Sequence, residues 1–334
     1  MATTVQAAPE TETPAPAPER AEARLRSFLE RFSLLLVFAL LLVVFSILRP
    51  ETFATSGNLK SILDQAAPLV VMAAGLVVVL VMKEFDLSIA SVAGGSAAVA
   101  VSLMAYHDVS TPVAVAAGVG FGLVVGFLNG VLVAIVGIPS FIATLATGSV
   151  VAGVETAVAN TTIFEGINQS YIDLTAGTVA GLPAAVGIAG LISIVIGVAL
   201  RFSVFGRHAT AIGDNQAAAM LVGLPVTRDR IIAFTLCGGA AGVAGILLTS
   251  RAMSYYPEPG AGLLLAAYAA TFLSLSLGHG WRFNVLGTVV GVVFLGTITT
   301  GLTMLDKPAW QAAVVQGLVL LVAVTALARK QIRR

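Results

Sequence analysis

The sequence predicts an all-α protein, a polytopic transmembrane helical bundle of about ten spans with both termini in the cytoplasm. Three observations lead to this fold class. Of 334 residues, 57% are hydrophobic and only 10% are charged, whereas about 25% of the residues of a soluble domain are charged. Long uncharged runs alternate with short polar breaks. The basic residues are concentrated in alternate breaks, as they are in the cytoplasmic loops of membrane proteins.

Residues 1–31 are predicted to form a disordered cytoplasmic tail. Pro14, Pro16 and Pro18 exclude a regular helix there, and glutamates and arginines make the rest of the tail polar. The apolar run that follows begins too late and continues too long to be a cleaved signal peptide. Residues 329–334 are predicted to form a second, short basic tail in the cytoplasm.

The region 32–328 is predicted to cross the membrane ten times. A helical span needs about 20 apolar residues to cross about 30 Å of hydrocarbon. The uncharged stretch 109–154 is too long for one crossing, and the break at 137–140, Gly-Ile-Pro-Ser, divides it. The predicted spans are residues 32–48, 62–82, 87–105, 112–136, 140–159, 182–200, 231–250, 263–278, 283–304 and 309–328.

The distribution of basic residues gives the predicted orientation. With ten spans, fourteen of the 18 lysines and arginines lie on the side that holds both termini. Loops rich in Lys and Arg stay in the cytoplasm, so the termini and the longest internal loop, 201–230, are predicted to be cytoplasmic. The long polar loop 160–181 is then external, and we expect it to face solvent. The other side holds only four basic residues, which are Arg49, Lys60, Arg251 and Lys307.

Composition argues against several classes of function. The formal net charge of +1 provides no basic field for nucleic acid. Cys237 is the single cysteine, so no disulfide forms within the chain. His107, His208 and His279 are scattered without metal-ligand spacing, and the absence of any Gly-Lys pair excludes the usual phosphate-binding loop. We therefore expect no catalytic residue, no metal site and no cofactor in this chain.

The fourth span carries a stripe of glycines at a spacing of four residues. This spacing places them on one face of the helix, and a face without side chains lets another helix approach closely. Two interpretations remain open, static close packing and a sliding contact in a moving protein. The stripe consists of Gly118, Gly122, Gly126 and Gly130.

Several polar residues lie within or beside the apolar spans. Polar groups at membrane depth often mark a permeation path, so we select six candidates for a substrate path. Each could instead serve helix packing or the membrane interface, and Asp86 or Ser88 could cap the helix after a tight cytoplasmic turn. Glu155 is expected to face the protein interior, a water-filled path or the interface. The candidates are Asp64, Gln65, Asp86, Ser88, Asn129 and Glu155.

The loop 201–230 contains a segment with the features of a short helix. Asp214 or Asn215 can cap the start of a helix, and residues 216–222 are mostly good helix formers. Gly223 ends such a helix. A short exposed helix of this kind either lies in the groove of a partner or simply connects two spans.

Four short motifs occur in order along the chain. They are Asp86-Leu87-Ser88, Phe141-Ile142-Ala143-Thr144-Leu145, Gly213-Asp214-Asn215-Gln216-Ala217-Ala218 and Arg282-Phe283-Asn284-Val285-Leu286-Gly287-Thr288. Together they resemble the ribose-type ABC permease family of monosaccharide importers, and the resemblance covers about residues 50–328. Gln216 stands where many members have glutamate.

The resemblance implies a non-catalytic permease subunit of an ATP-binding-cassette importer that moves a monosaccharide or similar small neutral solute by alternating access. It implies a cytoplasmic ABC ATPase subunit that binds ATP and Mg, a second permease subunit that is identical or closely related, and a periplasmic or extracellular sugar-binding protein. The setting is the lipid bilayer of the bacterial cytoplasmic (inner) membrane. The loop 201–230 would hold the ATPase-coupling helix, whose coupling residues would be Gly213, Asp214, Asn215, Gln216, Ala217, Ala218, Leu221 and Gly223.

Two alternatives remain open. A stand-alone secondary carrier or channel would transport without ATP or an ATPase partner. An ABC permease for another solute, such as an amino acid, would keep the mechanism and change the cargo. A membrane-embedded enzyme would need clustered acids, histidines or a metal motif, which the scattered histidines do not supply.

Overall fold

The computed structural model of this chain describes residues 34–159, 161–277 and 282–332, with side chains in the last helix up to residue 325. The predicted tail 1–31 lies outside these residues. Helices dominate the described part of the chain, where the sheet structure is a two-stranded hairpin.

Ten helices occupy the ten predicted spans. Seven of them are long and apolar enough to cross a membrane by length and composition, and three are shorter apolar helices. The predicted all-α polytopic fold is confirmed, while the orientation of the termini stays a prediction. The ten helices are α1 (Leu34–Leu48), α2 (Ser56–Val81), α3 (Ile89–His107), α4 (Thr111–Ala134), α5 (Ser140–Val158), α7 (Ala184–Phe202), α10 (Val226–Ala252), α11 (Leu264–Leu277), α12 (Val285–Met304) and α13 (Ala309–Ile332).

Shorter elements connect these helices. Helix α13 continues to Ile332, so the predicted basic tail 329–334 begins as part of this helix. The connecting elements are α6 (Gln169–Ala176), the hairpin of β1 (Thr178–Val179) and β2 (Leu182–Pro183), α8 (Val204–Asp214), α9 (Gln216–Leu221) and a 3-10 turn (Ala261–Leu263) before α11.

Helix α2 lies at the centre of the bundle. Every residue from Ala66 to Leu80 is buried, and α2 contacts α10, α12, α7 and α11. A helix that is apolar on all sides can lie either in a protein core or against lipid, and the burial of α2 places it in the core. Pro68 lies inside α2, which a membrane helix tolerates when neighbouring groups satisfy the freed backbone. The hydrophobic core therefore forms around α2.

The glycine stripe of α4 lies mainly against the backbone of α10. A Cβ atom added at Gly126 would overlap the carbonyl oxygen of Phe234, and one at Gly122 would overlap the backbone of the same helix. Gly130 also faces α10, while Gly118 faces the backbone of α3. The absence of side chains thus lets α4 and α10 approach to backbone contact.

The loop that is predicted to be external packs one face of α6 against the bundle, so within its described part, 161–181, it does not face solvent along its whole length. Tyr171 of α6 is fully buried, and its hydroxyl lies 2.6 Å from Thr249 Oγ1 of α10. Ser250 Oγ donates a hydrogen bond of 2.7 Å to the Tyr171 carbonyl. A tyrosine can bury its ring where its hydroxyl reaches a polar partner, and α10 supplies that partner.

Candidate functional site

The loop 201–230 folds into two helices, α8 and α9, before α10 begins, whereas the sequence predicts one short helix. Ser203 Oγ accepts a hydrogen bond of 3.1 Å from Gly206 N, which is the usual role of serine at a helix start. Phe205, Ala209 and Ile212 recur at helical spacing and pack against the core. Sequence reasoning missed α8 although this serine and this spacing are the signals of a helix.

The start of α9 is capped by Asn215, one of the two residues predicted for this role. Asn215 Oδ1 accepts a hydrogen bond of 3.0 Å from Ala218 N. The helix ends at Leu221, and Gly223 follows with a φ of 78°, a conformation that glycine adopts at little steric cost. Asn215 and Gly223 therefore mark the two ends of a short helix.

The end of α9 presents apolar side chains to the outside of the protein. Met220 is 53% exposed, Leu221 is 89% exposed and Val222 is 75% exposed, whereas Ala219 is buried. Clustered exposed apolar residues mark interaction surfaces. We call Met220, Leu221 and Val222 the α9 tip.

Three contacts attach α8 to the transmembrane helices. A Cβ atom at Gly213 would overlap a backbone carbonyl at the end of α2, so glycine permits this close approach. Asp214 Oδ2 accepts a hydrogen bond of 2.8 Å from Arg282 Nη2, which lies just before α12. His208 Nδ1 lies 2.8 Å from Asp229 Oδ2 in the first turn of α10. The segment that carries the α9 tip is thus fixed to α2, α10 and the start of α12.

The predicted coupling residues divide into two groups. Gly213 is buried against α2, and Asp214 pairs with Arg282, so these two hold α8 in place. The others are wholly or partly exposed and are available to a partner; they are Asn215, Gln216, Ala217, Ala218, Leu221 and Gly223. Their role in coupling stays a prediction.

Ion pairs tie α10 to α2 near both ends. At one end, Arg230 of α10 pairs with Glu84 in the turn after α2. At the other end, Arg251 Nε lies 2.6 Å from Asp64 Oδ2. Because α10 has 27 residues, about 40 Å of helix, the two pairs restrain α2 and α10 to move together.

A buried polar network forms where the turn after α2 meets α4 and α5. Asp86 Oδ1 accepts hydrogen bonds from Ser88 N at 2.9 Å and from Ser88 Oγ at 2.6 Å. Asn129 Nδ2 of α4 donates to Ser88 Oγ at 2.8 Å, and Thr147 Oγ1 of α5 donates to Asn129 Oδ1 at 2.5 Å. We call Asp86, Ser88, Asn129 and Thr147 the turn network.

Side chains of α5 and α11 also bind the backbone of this turn. Leu87 N donates to Thr144 Oγ1 of α5 at 3.0 Å. Asp86 N donates to the Tyr268 hydroxyl of α11 at 3.0 Å, and that hydroxyl donates to the Asp86 carbonyl at 3.0 Å. Sequence reasoning missed Thr144, Thr147 and Tyr268, since hydroxyl groups on apolar helices give no sign of a distant partner.

The Asp86 carboxyl group is only half satisfied by the turn network. Its Oδ2 faces the Cys237 thiol and has no hydrogen-bond partner of ordinary geometry among the described residues. Asp86 lies between α2 and α3, outside both spans, and burial raises the pKa of its carboxyl group. The neutral carboxylic acid is therefore favoured relative to an exposed aspartate.

Glu155 faces the protein interior at a separate place. Its Oε1 accepts hydrogen bonds from the Tyr255 hydroxyl at 2.9 Å and from Glu258 N at 2.8 Å. A Cβ atom at Gly94 of α3 would overlap this carboxylate. Glu155 therefore holds the connection between α10 and α11 against α3 and α5.

The six substrate-path candidates do not form one site. Asp86, Ser88 and Asn129 meet in the turn network, whereas Glu155 and Asp64 serve separate contacts. Gln65 Nε2 donates at 2.9 Å to a serine of its own helix. None of the six lines the groove of about 1360 Å³ between α2, α7, α11 and α12, and their role in a substrate path stays a prediction. Within the described residues, no group of three or more His, Cys, Asp or Glu side chains could hold a metal ion.

Comparison with known proteins agrees with this architecture. The chain is 33% identical over 323 residues to the L-arabinose ABC transporter permease protein AraH of Azospirillum brasilense, covering 95% of this chain and 94% of that protein. It is 33% identical over 308 residues to the ribose import permease protein RbsC of Escherichia coli (strain K12), covering 91% of this chain and 95% of that protein. It is 34% identical over 298 residues to the L-arabinose transport system permease protein AraH of the same strain, covering 88% of this chain and 89% of that protein.

These relatives confirm the resemblance predicted from the sequence motifs. Residues 58–324 also match the family model described as the permease component of the branched-chain amino acid transport system. That range includes nine of the ten helices that occupy the predicted spans, in whole or in large part, together with α8, α9 and the turn network. The chain is therefore a multi-pass membrane protein that belongs to this family of transport permease components.

Proposed function

We propose that this chain is the membrane-spanning subunit of an ATP-binding-cassette importer for a monosaccharide or a similar small neutral solute. The relatives that cover most of the chain are named for the transport of L-arabinose and ribose. The observation that carries the mechanism is the α9 tip, an exposed apolar surface on a segment that is anchored to three transmembrane helices.

The α9 tip is proposed to dock in a groove of a cytoplasmic ABC ATPase. Short helices commonly bind partners by placing apolar side chains in such a groove. Full burial of a leucine side chain contributes about 1.5–3 kcal/mol of favourable free energy, so burial of Leu221 alone would stabilise the complex with the ATPase substantially. The sequence has no Gly-Lys pair, and we assign ATP and Mg to the partner chain.

Motion of the ATPase is proposed to reach the membrane through α8. The His208–Asp229 contact would pass it to α10, and the Arg230–Glu84 pair would pass it to the turn after α2. Because Arg251 also ties α10 to α2 at the far end, the two helices would rock as one body. This motion would open the substrate path alternately to the two sides of the membrane.

Three further elements complete the proposal. A second permease subunit, identical or closely related, forms the other half of the membrane part. An external binding protein delivers the solute, and the assembly lies in the bacterial cytoplasmic membrane. A neutral solute is favoured because each of the carboxylates buried in the described bundle, Asp86, Glu155 and Asp229, already contacts a polar side chain of the protein through one oxygen.

The docking step is tested by adding a charge to the α9 tip. In Leu221→Asp, a carboxylate would replace the most exposed side chain of the tip, and we expect loss of co-purification with the ATPase and of ATP-dependent uptake of labelled arabinose or ribose. The matched control is Thr227→Asp, which adds the same charge in the exposed first turn of α10, where helix geometry favours an acid. Normal assembly and uptake by Leu221→Asp would remove the docking claim. Uptake by the chain without any ATPase would instead indicate a stand-alone carrier.

A second cargo class, amino acids, is suggested by the description of the family model. The mechanism would be unchanged, since only the external binding protein and the path would differ. Thermal-shift screening of the cognate binding protein against pentoses and branched-chain amino acids discriminates between the two. We expect stabilisation by a sugar, and stabilisation by an amino acid alone would assign the other cargo.

A further inference from the structure

A groove follows the length of the bundle between α2, α7, α11 and α12. Its volume is about 1360 Å³, larger than the roughly 300–1,000 Å³ of pockets that bind drug-sized ligands. Along α2 its lining extends from Leu63 to Val81, about 27 Å of helix. The groove opens outward, since Ile194, Val198 and Leu286 on its walls are exposed by 65%, 50% and 77%. We call this feature the α2–α7 groove.

The walls of the α2–α7 groove are apolar over most of its length. Between its two ends, Ser193 is the one polar residue among the described residues of the lining. A sugar carries several hydroxyl groups, and each would lose its water without gaining a hydrogen bond there. The hydrocarbon chains of a lipid match the apolar character of these walls. They would also cover α7, on which only Ala185, Ala189 and Ser193 are buried.

One end of the α2–α7 groove is basic. Lys83 follows α2, Arg201 lies in the last turn of α7, and Arg282 precedes α12; all three line the groove and are exposed. Asp214 is the one acid among the described lining residues, and it pairs with Arg282. Neither Lys83 nor Arg201 forms an ion pair within the part of the chain that the structure describes.

We propose that the α2–α7 groove binds an anionic phospholipid, with its phosphate at Lys83, Arg201 and Arg282 and its acyl chains along the apolar walls. Basic pockets between transmembrane helices on the cytoplasmic side bind anionic lipid headgroups, and guanidinium groups bind phosphate with directed hydrogen bonds. The α2–α7 groove places such cations at one end of its long apolar walls. This arrangement matches a lipid, which has one charged headgroup and long acyl chains.

The basic end argues for a lipid over a second copy of this chain. In a symmetric dimer about an axis normal to the membrane, the same patch of both copies meets at the same depth. Lys83 and Arg201 of one copy would then face the same cations of the other, and like charges repel. A lipid phosphate removes this conflict because it supplies the missing negative charge.

Two pairs of variants test the head and tail contacts separately. Lys83→Gln with Arg201→Gln removes two cations, and its control, Arg207→Gln with Arg228→Gln, removes two exposed cations that do not line the groove. Gly190→Phe fills the groove, since a Cβ atom at this lining residue meets open space. Its control is Gly187→Phe, which also points into open space on α7 but does not line the groove.

The measurement is native mass spectrometry of the purified full-length chain titrated with phosphatidylglycerol or with phosphatidylcholine of the same acyl chains. We expect the unaltered chain and both controls to retain phosphatidylglycerol preferentially. The double charge variant should retain it at least about tenfold more weakly, because each basic residue contributes appreciably to binding of anionic lipid. Gly190→Phe should also retain it more weakly, because the phenyl ring would occupy the space of the acyl chains. Equal retention of the two lipids by the unaltered chain, or variants that bind as well as their controls, would overturn the proposal.

A cross-linking measurement addresses the second copy directly. Cys237 is buried and is the single cysteine, so Val198→Cys places one reactive thiol on the wall of the groove. We expect little disulfide cross-linking between copies in membranes that contain phosphatidylglycerol. Efficient cross-linking at this residue would show that a second copy covers the groove and would overturn the lipid assignment.

Discussion

His208 of α8 and Asp229 of α10 lie side by side, with 2.8 Å between Nδ1 and Oδ2. Asp229 is nearly inaccessible, with 5% of its side chain exposed, and His208 covers it with 24% exposed. This contact joins the segment that bears the α9 tip directly to a transmembrane helix. It is one of the three contacts by which a force on α9 would enter the membrane part of the protein under the proposed mechanism.

Replacement of His208 by alanine is predicted to uncouple transport from ATP hydrolysis. The α9 tip would remain intact, so the ATPase should still co-purify, but its motion would no longer reach α10. We expect the uptake of sugar per ATP hydrolysed to fall severalfold in reconstituted vesicles. His107→Ala is the matched control, because His107 is exposed at the other end of the bundle, at the end of α3. Unchanged uptake per ATP in His208→Ala would show that the contact does not transmit motion.

Addition of one methyl group to the glycine stripe is predicted to separate α4 from α10. At Gly126 the new Cβ atom would overlap the backbone of α10, whereas at Gly120 on the same helix it would meet open space. Overpacking of this kind costs about 1–3 kcal/mol, while alanine at an open helix site is favourable by up to about 1 kcal/mol. Thermal unfolding in detergent should show Gly126→Ala clearly below Gly120→Ala. Equal unfolding temperatures would contradict the close approach.

Asp86 is predicted to tolerate replacement by asparagine but not by alanine. Asparagine keeps the oxygen that accepts both hydrogen bonds from Ser88, whereas alanine leaves buried donors unsatisfied, which costs about 1–3 kcal/mol for each group. We expect thermal unfolding in detergent to place Asp86→Asn near the unaltered chain and Asp86→Ala well below it. Equal loss of stability in both variants would contradict a role for the accepted hydrogen bonds.

The stability of the unaltered chain should also depend on the protonation of Asp86. Burial raises the pKa of this carboxyl group above its ordinary value of 3.8, so the folded state binds the proton more tightly than the unfolded state. The stabilising contribution is full below the ordinary pKa and is lost as pH rises through the raised one. Asp86→Asn should remove this part of the pH dependence, and an unaltered pH profile would show that Asp86 does not contribute to it.

The spans could be predicted from the sequence because crossing hydrocarbon has one dominant requirement, a long apolar run. The ends of the spans could be predicted less well, since a helix end depends on polar contacts that hydropathy does not measure. Helix α2 begins at Ser56, earlier than the predicted residue 62. Thr55 Oγ1 caps it by accepting from Asn58 N at 3.1 Å, and Asn58 Nδ2 donates to the Phe53 carbonyl at 2.8 Å.

The polar candidates could be selected from the sequence but not grouped. Asp86 and Asp64 look alike as isolated acids beside apolar runs, yet one lies in a buried network and the other pairs with Arg251. Their difference arises from α4, α5 and α10, which are distant in sequence. The α9 helix could be predicted because Asn215 and Gly223 act locally at its ends, and local effects of this kind can be identified from a single sequence.

The most direct test of the account is the accessibility of the α9 tip. Leu221→Cys would place a reactive thiol at the exposed end of α9, while native Cys237 is buried and serves as the unlabelled background. With a membrane-impermeant maleimide, we expect labelling in inside-out vesicles, no labelling in right-side-out vesicles, and strong protection when the ATPase is bound. Labelling from the external side, or equal labelling with and without the ATPase, would contradict the claim that α9 couples this permease to a cytoplasmic motor.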